Sequence, residues 1–99
     1  MAVKEKRGRR RYIAFTVDAG LTKDSLVRSL RARSDAAPYV VQCAEGWAIV
    51  RCSPADIDIT ISAMRDSDPS SASLRTSGTL AALRDAYPEL KRLRPVKKN

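Results

Sequence analysis

Two six-residue apolar runs, Tyr39–Ala44 and Trp47–Cys52, flank the dipeptide Glu45-Gly46. Both runs are rich in β-branched and aromatic residues, and a two-residue connector ending in glycine signals a hairpin. A lone hairpin is marginal in water, so this one must share its apolar sides with further strands or helices. The flanking segments supply them. Arg11-Tyr12-Ile13-Ala14-Phe15-Thr16-Val17 alternates and reads as a first strand, followed by a turn at Asp18-Ala19-Gly20. Thr22 can cap a helix over about 23–34, with Asp24 near its positive end and Leu26, Val27 and Leu30 on one side. Asp35-Ala36-Ala37-Pro38 ends that helix. Downstream of the hairpin, Ser53-Pro54-Ala55-Asp56 opens a helix with Ser at N-cap, Pro at N1 and an acid at N3. Ile57, Ile61 and Met64 recur at i, i+4 and i+7 as a core stripe. Residues 66–71 read as a polar loop, 71–76 as a short fourth strand and 78–87 as a last helix stopped by Pro88.

The resulting order, β-α-β-β-α-β plus a C-terminal helix, predicts an α+β fold. It is a ferredoxin-like or RRM-like sandwich with an antiparallel four-stranded sheet and two helices on one face. No internal repeat is visible. If Ala44 opposes Trp47, alternation places Tyr39, Val41, Cys43, Ala48, Val50 and Cys52 on one face. Together with Ile13, Phe15 and Val17 they form the helix-facing core. The opposite face then carries Tyr12, Ala14, Gln42, Trp47, Ile49, Arg51 and Arg75. Two dispositions are open for that second face. Its Tyr, Trp and Arg side chains could stack bases and hold phosphates. Alternatively, the C-terminal helix lies across it and buries Leu80 and Leu83 against Trp47 and Ile49.

The charge pattern narrows the class of partner. The net charge is +8, but it is unevenly placed. Residues 4–11 hold six basic side chains and one acid, and residues 91–98 hold five basic side chains and none. The span 12–90 has eight basic and ten acidic residues. The division expected is a basic tail over 1–8, one domain over 9–87 and a second basic tail over 88–99. Basic tails on a nearly neutral domain suit a polyanion, and nucleic acid is the usual one.

Several chemistries are excluded. There is no histidine, so Ser-His-Asp and Cys-His nucleophile systems and the HExxH zinc motif are absent. Cys43 and Cys52 cannot build a four-cysteine zinc site and lack C-x-x-C spacing. They read as reduced thiols of a cytoplasmic protein. No apolar run approaches the roughly 20 residues of a membrane span, and no apolar h-region follows the basic N-terminus. The acids fall mainly at caps and loops, so no catalytic or metal-binding carboxylate pair stands out.

One junction carries a sharper signal. In Leu74-Arg75-Thr76-Ser77-Gly78-Thr79-Leu80 a strand stops and a helix starts. Ser77 or Thr76 can cap the helix, Gly78 removes a Cβ, and Arg75 adds charge where helix N–H groups favour an anion. An ordinary capped turn accounts for the same residues.

Three segments in order carry a family resemblance. They are Arg11-Tyr12-Ile13-Ala14-Phe15, Gly46-Trp47-Ala48-Ile49-Val50-Arg51-Cys52 and Arg75-Thr76-Ser77-Gly78-Thr79-Leu80. The chain resembles the archaeal ribonuclease P protein component 2 family, whose members also occur in eukaryotic ribonucleases P and MRP. The likeness spans roughly residues 9–86, and R-x-S-G-T-[IL] is its most specific part. The tails lie outside it. The resemblance implies a non-catalytic subunit of the ribonucleoprotein that removes the 5′ leader of precursor tRNA. The RNA subunit hydrolyses the phosphodiester with Mg²⁺, and the protein binds no cofactor. Its implied partners are the ribonuclease P RNA, precursor tRNA and protein component 3, with a homodimer inside a heterotetramer as one arrangement. Arg9, Arg10, Arg11, Tyr12, Arg51, Arg75, Ser77, Gly78 and Thr79 are then the RNA-binding candidates. Trp47, Ile49, Leu80 and Leu83 are the partner-binding candidates. Two other classes fit the same topology: a different RRM-like or ribosome-associated RNA binder, and an ACT-type regulatory domain with Gly20 near its first turn.

Overall fold

A computed structural model describes residues 10–33 and 38–94. The elements are β1 (Arg11–Thr16), α1 (Lys23–Arg33), β2 (Tyr39–Ala44), β3 (Trp47–Cys52), α2 (Ile57–Ser67), β4 (Ala72–Ser77), α3 (Leu80–Ala86) and α4 (Pro88–Arg92). A short 3₁₀ turn, Pro54–Asp56, leads into α2. The four strands form one antiparallel sheet in the order β2-β3-β1-β4, an α+β arrangement compatible with a ferredoxin-like fold. The hairpin turns through Glu45 at φ 48° and Gly46 at φ 87°. Two consecutive positive φ values match the right-handed strand twist, and glycine carries the second at no steric cost.

Each face of the sheet has its own core. On one side Ile13, Phe15, Ala48 and Val50 pack with Leu26 and Leu30 of α1 and Met64 of α2. Thr22 caps α1 as expected, its Oγ1 accepting from the Ser25 amide at 3.2 Å. On the other side Ala14 and Ile49 meet Leu83 of α3 and Leu90 of α4, all fully buried. Tyr12, Val41, Trp47, Leu80 and Tyr87 pack around this second cluster. The C-terminal helices therefore cover the middle of the second face. Ile49 and Leu83, candidates for partner binding, are spent inside the fold. Trp47 and Leu80 are half-buried.

Three expectations about local structure are corrected. Strict alternation placed Tyr39 and Val41 on the first face. A bulge between Val40 and Gln42 shifts the register, so Val40 opposes Val50 in the first core and Tyr39 opposes Arg51. An extra residue in one strand reverses the parity of everything beyond it. Next, Pro88 does not end the helical C-terminal part of the fold. Tyr87 breaks α3, and Pro88 opens α4, where its missing N–H costs nothing. Leu90 is 0% exposed, so the domain runs on past residue 87 and 88–92 is not tail. Finally, Ser53 makes no side-chain cap bond; its carbonyl instead accepts the Asp56 amide at 3.0 Å.

A buried amide locks the second layer onto the sheet. Gln42, 2% exposed, donates from Nε2 to the Leu90 carbonyl at 3.0 Å. Its Oε1 accepts from Arg84 Nη2 at 2.7 Å and Nε at 3.3 Å. One β2 side chain thus holds both α3 and α4.

Candidate nucleic-acid interface

Strand register brings four side chains into one line across the sheet. Tyr39 opposes Arg51, Arg51 opposes Tyr12, and Tyr12 opposes Ser77. All four belong to the second face, at the end where β1 begins and β4 finishes. The guanidinium carbon of Arg51 sits 4.5 Å from the centre of the Tyr39 ring. That spacing is a cation–π contact, which orients both groups. Tyr39 keeps 54% of its surface exposed. Arg75, opposite Ala14 and two residues before Ser77, extends the same face toward the β4 edge and is exposed.

Basic groups gather at this end. Arg10 and Arg11 lead into β1, and Arg11 Nη1 donates to the Arg10 carbonyl at 3.0 Å. The same nitrogen lies 3.7 Å from the position a Cβ on Gly78 would take. Arg11 thereby reaches from β1 to the β4–α3 junction. Arg9 and the remainder of the N-terminal basic segment lie outside the described residues.

The junction itself differs from expectation. Thr79, not Ser77 or Thr76, is the N-cap of α3, its Oγ1 accepting from the Ala82 amide at 3.2 Å. Ser77 Oγ accepts from the Thr79 amide at 3.2 Å. Two amides expected to face an anion are therefore already satisfied, and α3 has only seven residues. The junction is a capped turn flanked by Arg11 and Arg75. Gly78 has ordinary space around it rather than a crowded backbone approach.

The aromatic at the far end of the face is also engaged. Trp47 packs on Tyr87, with ring centres 6.0 Å apart and a 45° tilt. It is no free stacking platform. Tyr39 is the residue that sequence alternation missed, because the β2 bulge moves it from the helix-facing side to this one.

Two other ionisable groups are structural. Burial, reinforced by the charge of Asp68, pushes the Cys43 thiol up to about 11. Its Sγ contacts the Leu21 carbonyl at 3.6 Å, and Cys43 and Cys52 are both free thiols. Asp68 is held below the usual carboxylate range, mainly by the Ser70 hydroxyl at 2.7 Å and then by the Asp18 amide at 2.7 Å. It fastens the end of β1 to the loop before β4. Among the described residues no cluster of three His, Cys, Asp or Glu side chains could hold a metal ion. No described helix is long and apolar enough to cross a membrane. What the site offers is stacking surface and fixed positive charge. No protein-family model matches the chain, and no curated protein matches it either.

Proposed function

We propose that this chain is an RNA-binding, non-catalytic subunit of a ribonucleoprotein that trims precursor tRNA, as its resemblance to ribonuclease P protein component 2 implies. The observation that carries the reading is the Tyr39–Arg51–Tyr12–Ser77 row, bordered by Arg10, Arg11 and Arg75. Aromatic rings supply base-stacking surface, and the guanidinium groups supply phosphate contacts. Arg51 does both, since it lies between two tyrosines. On this reading the RNA carries Mg²⁺ and the hydrolysis, and the protein positions the RNA. Protein component 3 is the proposed partner, with Trp47 and Leu80 as the half-buried apolar residues still available to it.

The test is to purify the tagged full chain from its host and sequence the RNA that travels with it. Enrichment of one structured RNA together with precursor tRNA is the expected result. A broad sample of cellular RNA would favour a general or ribosome-associated RNA binder. No bound RNA at all would remove the class. The purified chain with Mg²⁺ and no RNA subunit should leave precursor tRNA intact.

A further inference from the structure

The β2 edge of the sheet carries a cleft that meets the row just described at Tyr39. Lys23, Val27 and Arg31 follow one another at i, i+4 and i+8 on α1, and so share a face. With Pro38, Tyr39 and Val40 they line a cleft of about 200 Å³ between α1 and the β2 edge. Lys23 and Arg31 are exposed, Val27 is half-buried and Val40 is buried. At 1.5 Å per residue the two basic residues stand about 12 Å apart along the helix axis. The cleft therefore has an apolar floor with one cation at each end, and no described carboxylate lines it.

Size and position select a ligand. A cleft of about 200 Å³ falls below the roughly 300 Å³ at which sites for free small molecules begin, so an independent cofactor is poorly held. One nucleotide of a strand anchored elsewhere suits it. Tyr39 provides the link, since it lines the cleft and also ends the transverse row, where Arg51 covers one face of its ring.

We infer that the α1–β2 cleft is a second RNA subsite. A single strand lying along the row turns over the β2 edge at Tyr39. One unpaired base rests on Tyr39 and the apolar floor, and the flanking phosphates lie near Lys23 and Arg31. The base must be unpaired, because a duplex keeps its base faces stacked inside the helix. The inference rests on the RNA-binding reading above and adds a location and a preference for single strands.

The experiment uses the full chain, a labelled single-stranded oligoribonucleotide of about ten nucleotides, and a perfect RNA duplex of equal length. Affinity is measured across a salt series, with melting temperature as the folding control. Tyr39→Ala should weaken single-strand binding by roughly 5- to 150-fold. The Lys23→Ala/Arg31→Ala double variant should flatten the log–log salt slope by roughly 1.4, and duplex binding should change little in both variants. If the wild-type chain binds the strand and the double variant keeps its affinity and slope, the subsite is overturned and the RNA-binding reading stands. Equal losses on strand and duplex would reduce the cleft to diffuse charge and also overturn it. If the double variant keeps RNA affinity but loses a protein partner, the cleft belongs to that partner. A wild-type chain that binds neither RNA refutes the functional reading itself.

Discussion

Replacing Leu90 with alanine tests whether the second core exists. Leu90 is fully buried against Ala14, Ile49 and Leu83, and its carbonyl accepts from Gln42. Truncating a buried leucine removes transfer free energy and leaves a cavity, together about 2–5 kcal/mol. Alanine is at least as good a helix former as leucine, so α4 is not weakened by propensity and the loss reports packing. A domain of this size has only about 5–15 kcal/mol in total, so the change is large. At about 4–8 °C per kcal/mol, the melting temperature should fall by roughly 8–40 °C. Urea unfolding followed by tryptophan fluorescence is the direct assay, because the single tryptophan, Trp47, packs in this same cluster. The midpoint should fall while the slope stays the same. Lys91→Ala, one residue away and exposed, is the control and should shift stability by no more than about 0.5 kcal/mol. Equal midpoints for the Leu90 and Lys91 variants would show that α4 is surface tail, and the burial reasoning would fail.

Four further outcomes are expected. Arg75→Ala should leave the melting temperature unchanged, since Arg75 is exposed, and weaken RNA binding by about one to two decades, the worth of a charge-assisted bond; unchanged affinity takes Arg75 out of the interface. Thr79→Ala should cost about 1 kcal/mol as the loss of the α3 cap, and more than Ser77→Ala, by thermal melts of the two variants. Asp68, whose carboxyl is lowered in the folded state, contributes stability that is complete above its ordinary value of 3.8 and is lost as pH falls through the lower native value. Urea midpoints against pH should therefore decline in acid for the wild type and less steeply for Asp68→Asn; parallel curves would contradict the assignment. Cys43, protonated up to about pH 11, should resist a thiol reagent at pH 8 while the half-buried Cys52 reacts first; a native protein that titrates both at one rate would overturn this.

The features legible in the sequence share a cause. The β2–β3 hairpin, the Thr22 cap and the Ile57–Met64 stripe each follow from a short-range pattern that tertiary packing reinforces. What was hidden came from single residues with two valid meanings. Pro88 stops a helix by removing an N–H, but at N1 that N–H has no partner to lose, so the same residue starts one. Leu90 continues the apolar spacing of Leu80, Leu83 and Tyr87, but reading Pro88 as a stop cuts that stripe before it reaches Leu90. Ser77 and Thr79 are both good cap residues two positions apart, and only backbone geometry decides between them. The β2 bulge has no side-chain signature, so alternation carried Tyr39 and Val41 to the wrong face. The missed interface residue and the misassigned core residue thus have one origin.

The covering helices give the second face its direction. Six-residue strands present only about three side chains to each face. Once Leu83 and Leu90 occupy the centre over Ala14 and Ile49, only the two ends of the face stay open. Antiparallel pairing decides what each end contains. The start of β1, the end of β3 and the end of β4 meet at one, bringing Arg10, Arg11, Arg51 and Ser77 together. The hairpin and the end of β1 meet at the other, with Glu45 near Arg92, and with Asp68 against the Asp18 amide. A polyanion approaching this face meets cations and open aromatic surface at the first end, whereas at the hairpin end Glu45 and Glu89 are both paired with Arg92 and Asp68 is buried. Such an asymmetry orients an encounter before any short-range contact forms. The apolar cover that removes Ile49 and Leu83 from the surface therefore leaves the basic end, with Tyr39, Arg51 and Arg75, as the part of this face that offers both ring surface and positive charge.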